Sequence, residues 1–335
     1  MPAAGSGAGR GLAVSAALDS ATLEQAADWF ARLRAAPADA ALRGQWQQWL
    51  EQQEQHRIAW TYVERISQRF DSLQPQAGAA HQTLASLRRT QRSRRQVLSS
   101  LCVLSGGVTL GWLGWQRHWV DDLQALTAGT TTAVGEVRRQ VLADGTLLWL
   151  NSATALDVQL DGQRRLLTLY SGEVLIETAA EARPFQVQTR AGSLVPLGTR
   201  FSVRQQGART LLNVYDGAVR ATCAASAIQR VANAGQGLGF DASTMAATTP
   251  ACAQRQAWSQ GLLVAQDMPL GDFIAELADH RRGHLAVNPL IASLRVMGTY
   301  PLNDTDQVLA MLESALPVRV SRRFDWWVTL EPAEK

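Results

Sequence analysis

Apolar residues recur at helical spacing in the first quarter of the chain. A first helix is predicted with Thr22 as its N-cap, Gln25 completing a capping box and Pro37 ending it. Two more are predicted, one capped by Asp39 and one beginning at about Gln55. Their apolar faces comprise Leu23, Ala26, Ala27, Phe30, Leu33, Leu42, Trp46, Trp49, Leu50, Ile58, Tyr62, Ile66 and Phe70. The pattern predicts a small all-α bundle.

Between residues 127 and 240 the pattern changes to short runs typical of strands. Val134 to Val137 is the first predicted strand and Ala218 to Arg220 the last. The turn pairs that separate the runs are Asp144-Gly145, Asp161-Gly162, Ser171-Gly172 and Asp216-Gly217. Such pairs at hairpin spacing predict an all-β domain.

Residues 258–332 combine both periods in the order β-α-β-β-α-β-β. Pro269 opens the first helix, and either Asn303 or Asp304 caps the second. The pattern predicts a small α+β unit with one sheet.

A run of 19 uncharged residues, 97–115, is long enough to cross a bilayer once. The arginines before it are Arg88, Arg89, Arg92, Arg94 and Arg95. The acids Asp121 and Asp122 follow it, so the positive-inside rule predicts a cytoplasmic N-terminus and an exported C-terminus. The alternative is a buried helix of a soluble protein. Residues 93–98 also resemble a twin-arginine export signal, which leaves the export route open.

Charge argues against nucleic-acid binding. The chain of 335 residues has a formal charge of +3, and residues 20–75 carry six arginines against seven acids. Only one of the 32 basic residues is a lysine, which is typical of codon bias. The helical bundle therefore lacks the basic surface that a DNA-binding module needs.

The positions of the three cysteines agree with the predicted topology. Cys102 lies in the span, whereas Cys223 and Cys252 are both exported and are predicted to form a disulfide in an oxidising compartment. His280 and His284, separated by Gly283, are predicted at the surface. The sequence offers no metal-ligand spacing and indicates no cofactor.

Two stretches resemble one family. The stretch AADWFARLRAAPADAALRGQWQQWLEQQEQHRIAWTYVERISQRF resembles the N-terminal domain of FecR-type anti-sigma regulators. The exported motifs that resemble the FecR domain are Gly135-Glu136, ADGTLLWLNSAT, LYSGEVLIET, RPFQV, LGTRFSV and VYDGAVRA. The family usually has proline where this chain has Ala143. Residues 258–332 resemble the short N-terminal domain of secretins and TonB-dependent receptors, at Pro269-Leu270, Tyr300-Pro301-Leu302 and Ala315 to Val318.

The resemblance implies a single-span inner-membrane regulator of bacterial iron signalling. Its cytoplasmic domain would bind an extracytoplasmic-function sigma factor, and its periplasmic part would receive a signal from a TonB-dependent outer-membrane transducer. The predicted sigma-binding anchors are Trp29, Trp46, Trp49 and Trp60. They are more tryptophans than so small a core comfortably encloses, yet a purely structural role is the equal alternative.

The same resemblance implies a candidate self-cleavage site at Gly198-Thr199. The equal alternative is that Gly198 only makes a tight turn. Two rival functions are a membrane-anchored periplasmic assembly protein and a periplasmic hydrolase. The assembly role leaves the bundle unexplained, and no GxSxG, HExxH or phosphate loop supports a hydrolase.

The predicted division is 1–19 disordered, 20–75 sigma-binding helices, 76–96 linker and basic flank, 97–115 transmembrane helix, 127–240 all-β FecR domain and 258–332 α+β domain.

Overall fold

A computed structural model describes residues 20–37, 39–71 and 128–333. The predictions for residues 1–19, the linker and its five arginines, Cys102 and the span at 97–115 lie outside the described residues. Within the described ranges, none of the helices is both long enough and apolar enough to cross a bilayer.

The helical domain, residues 20–71, contains three helices. They are α1 (Ser20–Ala35), α2 (Ala40–Gln52) and α3 (Glu54–Asp71). The prediction of Thr22 as an N-cap is wrong, because α1 begins two residues earlier and Thr22 is buried inside it. Asp39 does cap α2, since its carboxylate accepts hydrogen bonds from the backbone N–H groups of Ala41 and Leu42 at 2.9 and 3.0 Å.

The β domain, residues 130–250, consists of short strands. They are β1 (Thr130–Thr131), β2 (Arg138–Val141), β3 (Leu147–Leu150), β4 (Ala155–Leu160), β5 (Arg165–Glu177), β6 (Phe185–Gln188), β7 (Gly192–Pro196), β8 (Arg200–Gln206), β9 (Arg209–Asp216), β10 (Ala218–Cys223), β11 (Gln229–Asn233), β12 (Gln236–Phe240) and β13 (Thr249–Pro250). The 13-residue β5 joins two layers: its first half pairs with β4 and β6, and its second half with β3 and β8. The inward side chains of both layers form one apolar core.

Two details of the β domain differ from the sequence prediction. Val134 to Val137 is a turn and the start of a loop rather than a strand. Gly135 there has φ of +82°, and the Glu136 carboxylate accepts a hydrogen bond from the Ala133 N–H at 2.8 Å. Strands β1, β4, β7, β11, β12 and β13 are additional to the predicted set.

The C-terminal unit, residues 253–332, has the predicted order of elements. After a 3-10 helix (Ala253–Gln260) come β14 (Leu262–Pro269), α4 (Leu270–Ala278), β15 (His284–Val287), β16 (Arg295–Pro301), α5 (Thr305–Ala315), β17 (Val318–Phe324) and β18 (Trp327–Pro332). The strands form two small sheets instead of one, β14-β16 and β15-β18-β17. Asp304 caps α5 by accepting the Gln307 N–H at 2.9 Å.

The β domain and the C-terminal unit share a core. Leu175 on β5 is fully buried in the apolar cluster of the C-terminal unit, and Trp149 and Tyr215 pack against the same cluster. The outer face of the layer that contains the second half of β5 therefore packs on the C-terminal unit. This shared core holds the β domain and the C-terminal unit together as one block.

Candidate functional site

Three of the four predicted anchor tryptophans are partly exposed on the helical domain. Trp46 on α2 lies 4.8 Å from Trp60 on α3, between ring centroids, and Phe30 on α1 lies 5.9 Å from Trp60. Trp29 is covered by the guanidinium of Arg32 at 4.5 Å. The rings of Phe30, Trp46 and Trp60 form one aromatic face across all three helices, and clustered aromatic rings are common at interfaces.

Trp49 differs from the other three because it belongs to the core of the bundle. It is 8% exposed and stacks on His56 at 4.3 Å. Its indole N–H donates to the Gln25 side chain at 3.2 Å, and its carbonyl oxygen lies 2.6 Å from His56 Nδ1. By contrast, the buried Nε1 of Trp46 has no hydrogen-bond partner among the described residues. A buried donor normally has one, so the Trp46 N–H is an exception in the described part of the helical domain.

A second set of rings lies at one end of the C-terminal unit. We call His284, Phe324, Trp326 and Trp327 the aromatic end. The His284 ring stacks on Trp327 at 3.9 Å, and Phe324 stacks on Trp326 at 4.9 Å. This surface contacts the helical domain, with which it shares one apolar cluster.

The contact between the helical domain and the aromatic end has apolar, polar and ionic parts. Phe30 meets Phe324 and Trp326 edge to face at 6.1 and 5.9 Å. The hydroxyl of Tyr62 lies 3.2 Å from His284 Nδ1. A further element is Arg323, whose guanidinium donates to the Glu24 carbonyl oxygen at 2.8 Å and lies 3.8 Å from the Asp28 carboxylate. The sequence did not indicate this contact, because its partners are far apart in the chain.

Both histidines of the C-terminal unit are buried, so their predicted surface location is wrong. Burial lowers the pKa of His284 to about 4. Burial also lowers the pKa of His280, despite the opposing carboxylates of Glu276 and Glu173, and its Nδ1 has no partner among the described residues. Both side chains are covered by packing that local spacing did not reveal.

A cluster of charges joins the β domain to the C-terminal unit. Its members are Glu173, Arg204, Arg255, Glu276 and Asp279. Arg255 contacts Glu276 at 2.7 Å and Glu173 at 3.3 Å. Arg204 contacts Glu276 at 2.9 Å and also pairs with Asp279. Because Glu173 and Arg204 are both buried, each depends on these partners for the solvation that water no longer provides.

The predicted disulfide is not formed. Cys223 is buried, with its thiol 3.6 Å from the Thr244 carbonyl oxygen, whereas Cys252 is exposed beside Gln254. The physical reason is that Cys223 points into the core of the β domain while Cys252 lies at the start of the 3-10 helix. Among the described residues, no group of three or more His, Cys, Asp or Glu side chains could hold a metal ion.

Gly198 makes a tight turn between β7 and β8, with φ of +74°. Thr199 is buried, and its backbone exchanges hydrogen bonds with Thr178: the Thr199 N–H donates to Thr178 Oγ1 at 2.9 Å, and its carbonyl accepts the Thr178 N–H at 3.1 Å. The Thr199 hydroxyl has no hydrogen-bond partner among the described residues. No base is therefore hydrogen-bonded to it in the described part of the chain.

Comparisons with known proteins place these parts in context. Residues 129–220 match the FecR protein family, and residues 24–66 match DUF4880, a domain of unknown function. No curated protein matches the chain.

Two crystal structures from Parabacteroides distasonis ATCC 8503, at 2.50 and 1.65 Å resolution and each of a candidate anti-sigma factor, resemble the chain. Their TM-scores are 0.50 and 0.51, and both are 19% identical to it. The likeness covers 61% of this chain and 98% and 99% of the other two, so it shows a shared fold. The family matches therefore identify a FecR region at residues 129–220 of this chain, preceded by a DUF4880 region at residues 24–66.

Proposed function

We propose that this protein is an anti-sigma regulator. The helical domain holds an extracytoplasmic-function sigma factor in the cytosol, and residues 97–115 cross the inner membrane once. The β domain and the C-terminal unit lie in the periplasm, within the predicted bounds 127–240 and 258–332. There they receive a signal from a TonB-dependent outer-membrane receptor, and the regulated genes serve iron-siderophore uptake.

The observation that carries the sigma-binding proposal is the aromatic face of the helical domain. Trp46 and Trp60 lie 4.8 Å apart and are only partly buried, and the buried indole N–H of Trp46 has no hydrogen-bond partner among the described residues. Clustered tryptophans with one polar group are typical anchors of protein interfaces. A bundle this small also gains stability from a partner that covers such a face. The two structural neighbours, both candidate anti-sigma factors, support the same function.

Affinity purification of the full chain from its own bacterium tests this proposal. A sigma factor should copurify and be identifiable by mass spectrometry. Trp46→Ala should reduce its recovery at least tenfold, whereas the exposed neighbour Gln48→Ala should not, since loss of an anchor costs about 2 kcal/mol. Absence of any sigma factor from the wild-type eluate would refute the assignment.

We propose that the receptor docks by adding a strand to β17. This strand pairs only with β18 among the described residues, which leaves it at the edge of its sheet. The Val320 N–H donates at 3.0 Å to the Glu313 carboxylate on α5, so this N–H points away from β18. An edge of this kind accepts an extended peptide through backbone hydrogen bonds.

Two substitutions of one residue test strand addition. Arg322 lies two positions after Val320, so its N–H faces the same edge of the sheet, and its side chain pairs with Asp306 at 2.8 Å. Arg322→Ala and Arg322→Pro both remove that ion pair, but only proline removes the N–H. We expect receptor-dependent transcription to be lost in the proline variant and retained in the alanine variant. Equal transcription in the two variants would exclude this edge of β17 as the docking site of the receptor.

A further inference from the structure

We infer that the aromatic end takes up a helix of the outer-membrane receptor, one that carries an aromatic residue and two carboxylates one turn apart. The inference rests on the proposed function, because it needs the helical domain to lie on the other side of the membrane. It adds to the strand that β17 accepts a second contact, on the face of the same sheet.

The sheet β15-β18-β17 has two apolar faces. On β18, Val328 and Leu330 belong to the core of the C-terminal unit. Because side chains alternate along a strand, Trp327 lies on the opposite face. The strand register places Trp327 beside His284 on β15 and beside Phe324 on β17. The aromatic end is therefore the outer face of this sheet, directed away from the core of its own unit.

This outer face needs a cover. Trp326 and Trp327 are 6% and 1% exposed, and within the described residues both belong to the apolar cluster of the helical domain rather than to the core of the C-terminal unit. When residues 97–115 cross the bilayer, about 30 Å of hydrocarbon separates the helices from this sheet. The two tryptophans then lose that cover. An uncovered aromatic face of this kind is typical of a protein interaction site.

The helical domain indicates which chemistry fits the surface. Phe30 meets Trp326 edge to face at 5.9 Å, a favoured geometry for aromatic pairs. At the rim, Arg323 lies 3.9 Å from the Glu24 carboxylate and 3.8 Å from the Asp28 carboxylate. These two acids are four positions apart on α1, so they lie on one face of the helix. The surface therefore fits a helix with an aromatic residue and an acid pair at positions i and i+4.

The position of the aromatic end favours the receptor as the source of this helix. Phe324 is the last residue of β17, the strand whose edge is proposed to accept a receptor strand. A strand added there brings the rest of the receptor domain beside the aromatic end. Backbone hydrogen bonds at the edge contribute affinity, whereas the rings and Arg323 select for side chains. The two contacts together recognise one partner.

Photochemical cross-linking of the full chain in its own bacterium tests the inference. Benzoylphenylalanine replaces Phe324 in one strain, the exposed Arg319 of β17 in a second and the exposed Arg220 of β10 in a third. Mass spectrometry identifies the cross-linked peptides. We expect the probe at position 324 to capture a helical peptide of the receptor with two acids four positions apart. The probe at 319 should capture a different peptide of the same receptor, and the probe at 220 should capture none.

Two substitutions of Arg323 test the acid pair. In the strain with the probe at position 324, Arg323→Glu should reduce the yield of the receptor cross-link about tenfold, because like charges repel, whereas Arg323→Lys should retain most of it. Both variants should leave the cross-link from position 319 intact, which excludes a loss of folding. Equal yields from Arg323→Glu and wild type would overturn the inference.

The remaining outcomes separate the inference from the proposed function. Receptor peptides captured from position 319 but not from 324 would overturn the inference and leave the receptor contact at β17 in place. Capture at 324 of lipid, of another protein or of a receptor segment that is not helical would also overturn it. Capture of residues 20–71 of the same chain would overturn both the inference and the proposed topology. Absence of receptor peptides at both positions would refute the receptor part of the proposed function.

Discussion

Tyr62 and His284 are separated by 222 positions in the chain, yet the Tyr62 hydroxyl lies 3.2 Å from His284 Nδ1. The His284 ring is at the same time stacked on Trp327. This pair links the helical domain to the C-terminal unit and makes their contact sensitive to pH.

Acidification should weaken that contact. Burial lowers the pKa of His284 to about 4, from an ordinary value of about 6.5, so the docked state favours the neutral ring. The resulting stabilisation is complete above pH 6.5 and is lost as the pH falls towards 4.

Hydrogen exchange of α1 in the solubilised full chain at pH 7 and pH 5 measures this loss. His284→Phe keeps an aromatic ring on Trp327 but does not titrate, so its exchange should change less between the two pH values. The same response in wild type and variant would assign the effect to other groups.

The buried charge cluster should contribute strongly to the stability of the block formed by the β domain and the C-terminal unit. Arg204→Ala leaves Glu276 and Asp279 without one of their partners, which should lower the free energy of unfolding by about 3 to 5 kcal/mol. Denaturant unfolding monitored by the β signal in circular dichroism measures this. Arg220→Ala, at an exposed position, should stay within about 0.5 kcal/mol of wild type. Similar losses in the two variants would mean that the cluster contributes no special stability.

The tryptophans of the helical domain should divide into two classes. Trp49→Ala removes a buried ring stacked on His56 and should destabilise the helices by about 3 to 5 kcal/mol. Trp46→Ala should keep the fold and weaken sigma binding by about 2 kcal/mol. Helical circular dichroism together with a binding titration separates the two effects. If Trp46→Ala unfolds the helices as Trp49→Ala does, Trp46 is a core residue and not an anchor.

The two described thiols should react very differently with a maleimide. Cys252 is exposed and should be labelled in the native protein, whereas the buried Cys223 should be labelled only after unfolding. Cys252→Ser should therefore change the free energy of unfolding by less than about 0.5 kcal/mol. Mass spectrometry of unreduced protein checks the thiols directly. A mass lower by two hydrogen atoms, with the two cysteine peptides cross-linked, would show that the disulfide does form.

Self-cleavage at Gly198-Thr199 has a simple test on a denaturing gel. Gly198 adopts its positive φ without strain, as glycine can. In self-cleavage, Thr199 Oγ attacks the Gly198 carbonyl carbon, the peptide C–N bond breaks, the hydroxyl proton passes to the released Thr199 amine, and water hydrolyses the resulting ester. Cleavage predicts two fragments for wild type and one band for Thr199→Ala. One full-length band for both would leave Gly198 as a turn residue only.

Local order was largely predictable from the sequence. The three helices follow from apolar residues at intervals of three and four, and the Asp39 cap follows from a carboxylate just before such a run. The order of strands and helices in residues 258–332 was predicted for the same reason. These features depend on neighbours within a few positions, which a linear pattern contains.

Pairing across long separations was decided only by the tertiary structure. Glu173 and Arg255 look like solvated charges in the sequence, and their ion pair exists because β5 and the 3-10 helix meet at a shared core. Cys223 remains a free thiol because its side chain points from β10 into the core of the β domain. The local spacing of residues predicts neither arrangement, because the burial of a side chain depends on what packs over it.

The contact of Phe30 with Phe324 is the clearest case of this kind. The sequence indicated surplus aromatic rings in the helical domain but not at the aromatic end, because composition and helical spacing are local properties. Only the tertiary structure decided that the two sets cover each other, at 6.1 Å between these rings. Apolar surfaces attract without direction, so their partners are selected by shape, by charges such as Arg323 and by the whole fold that brings them together.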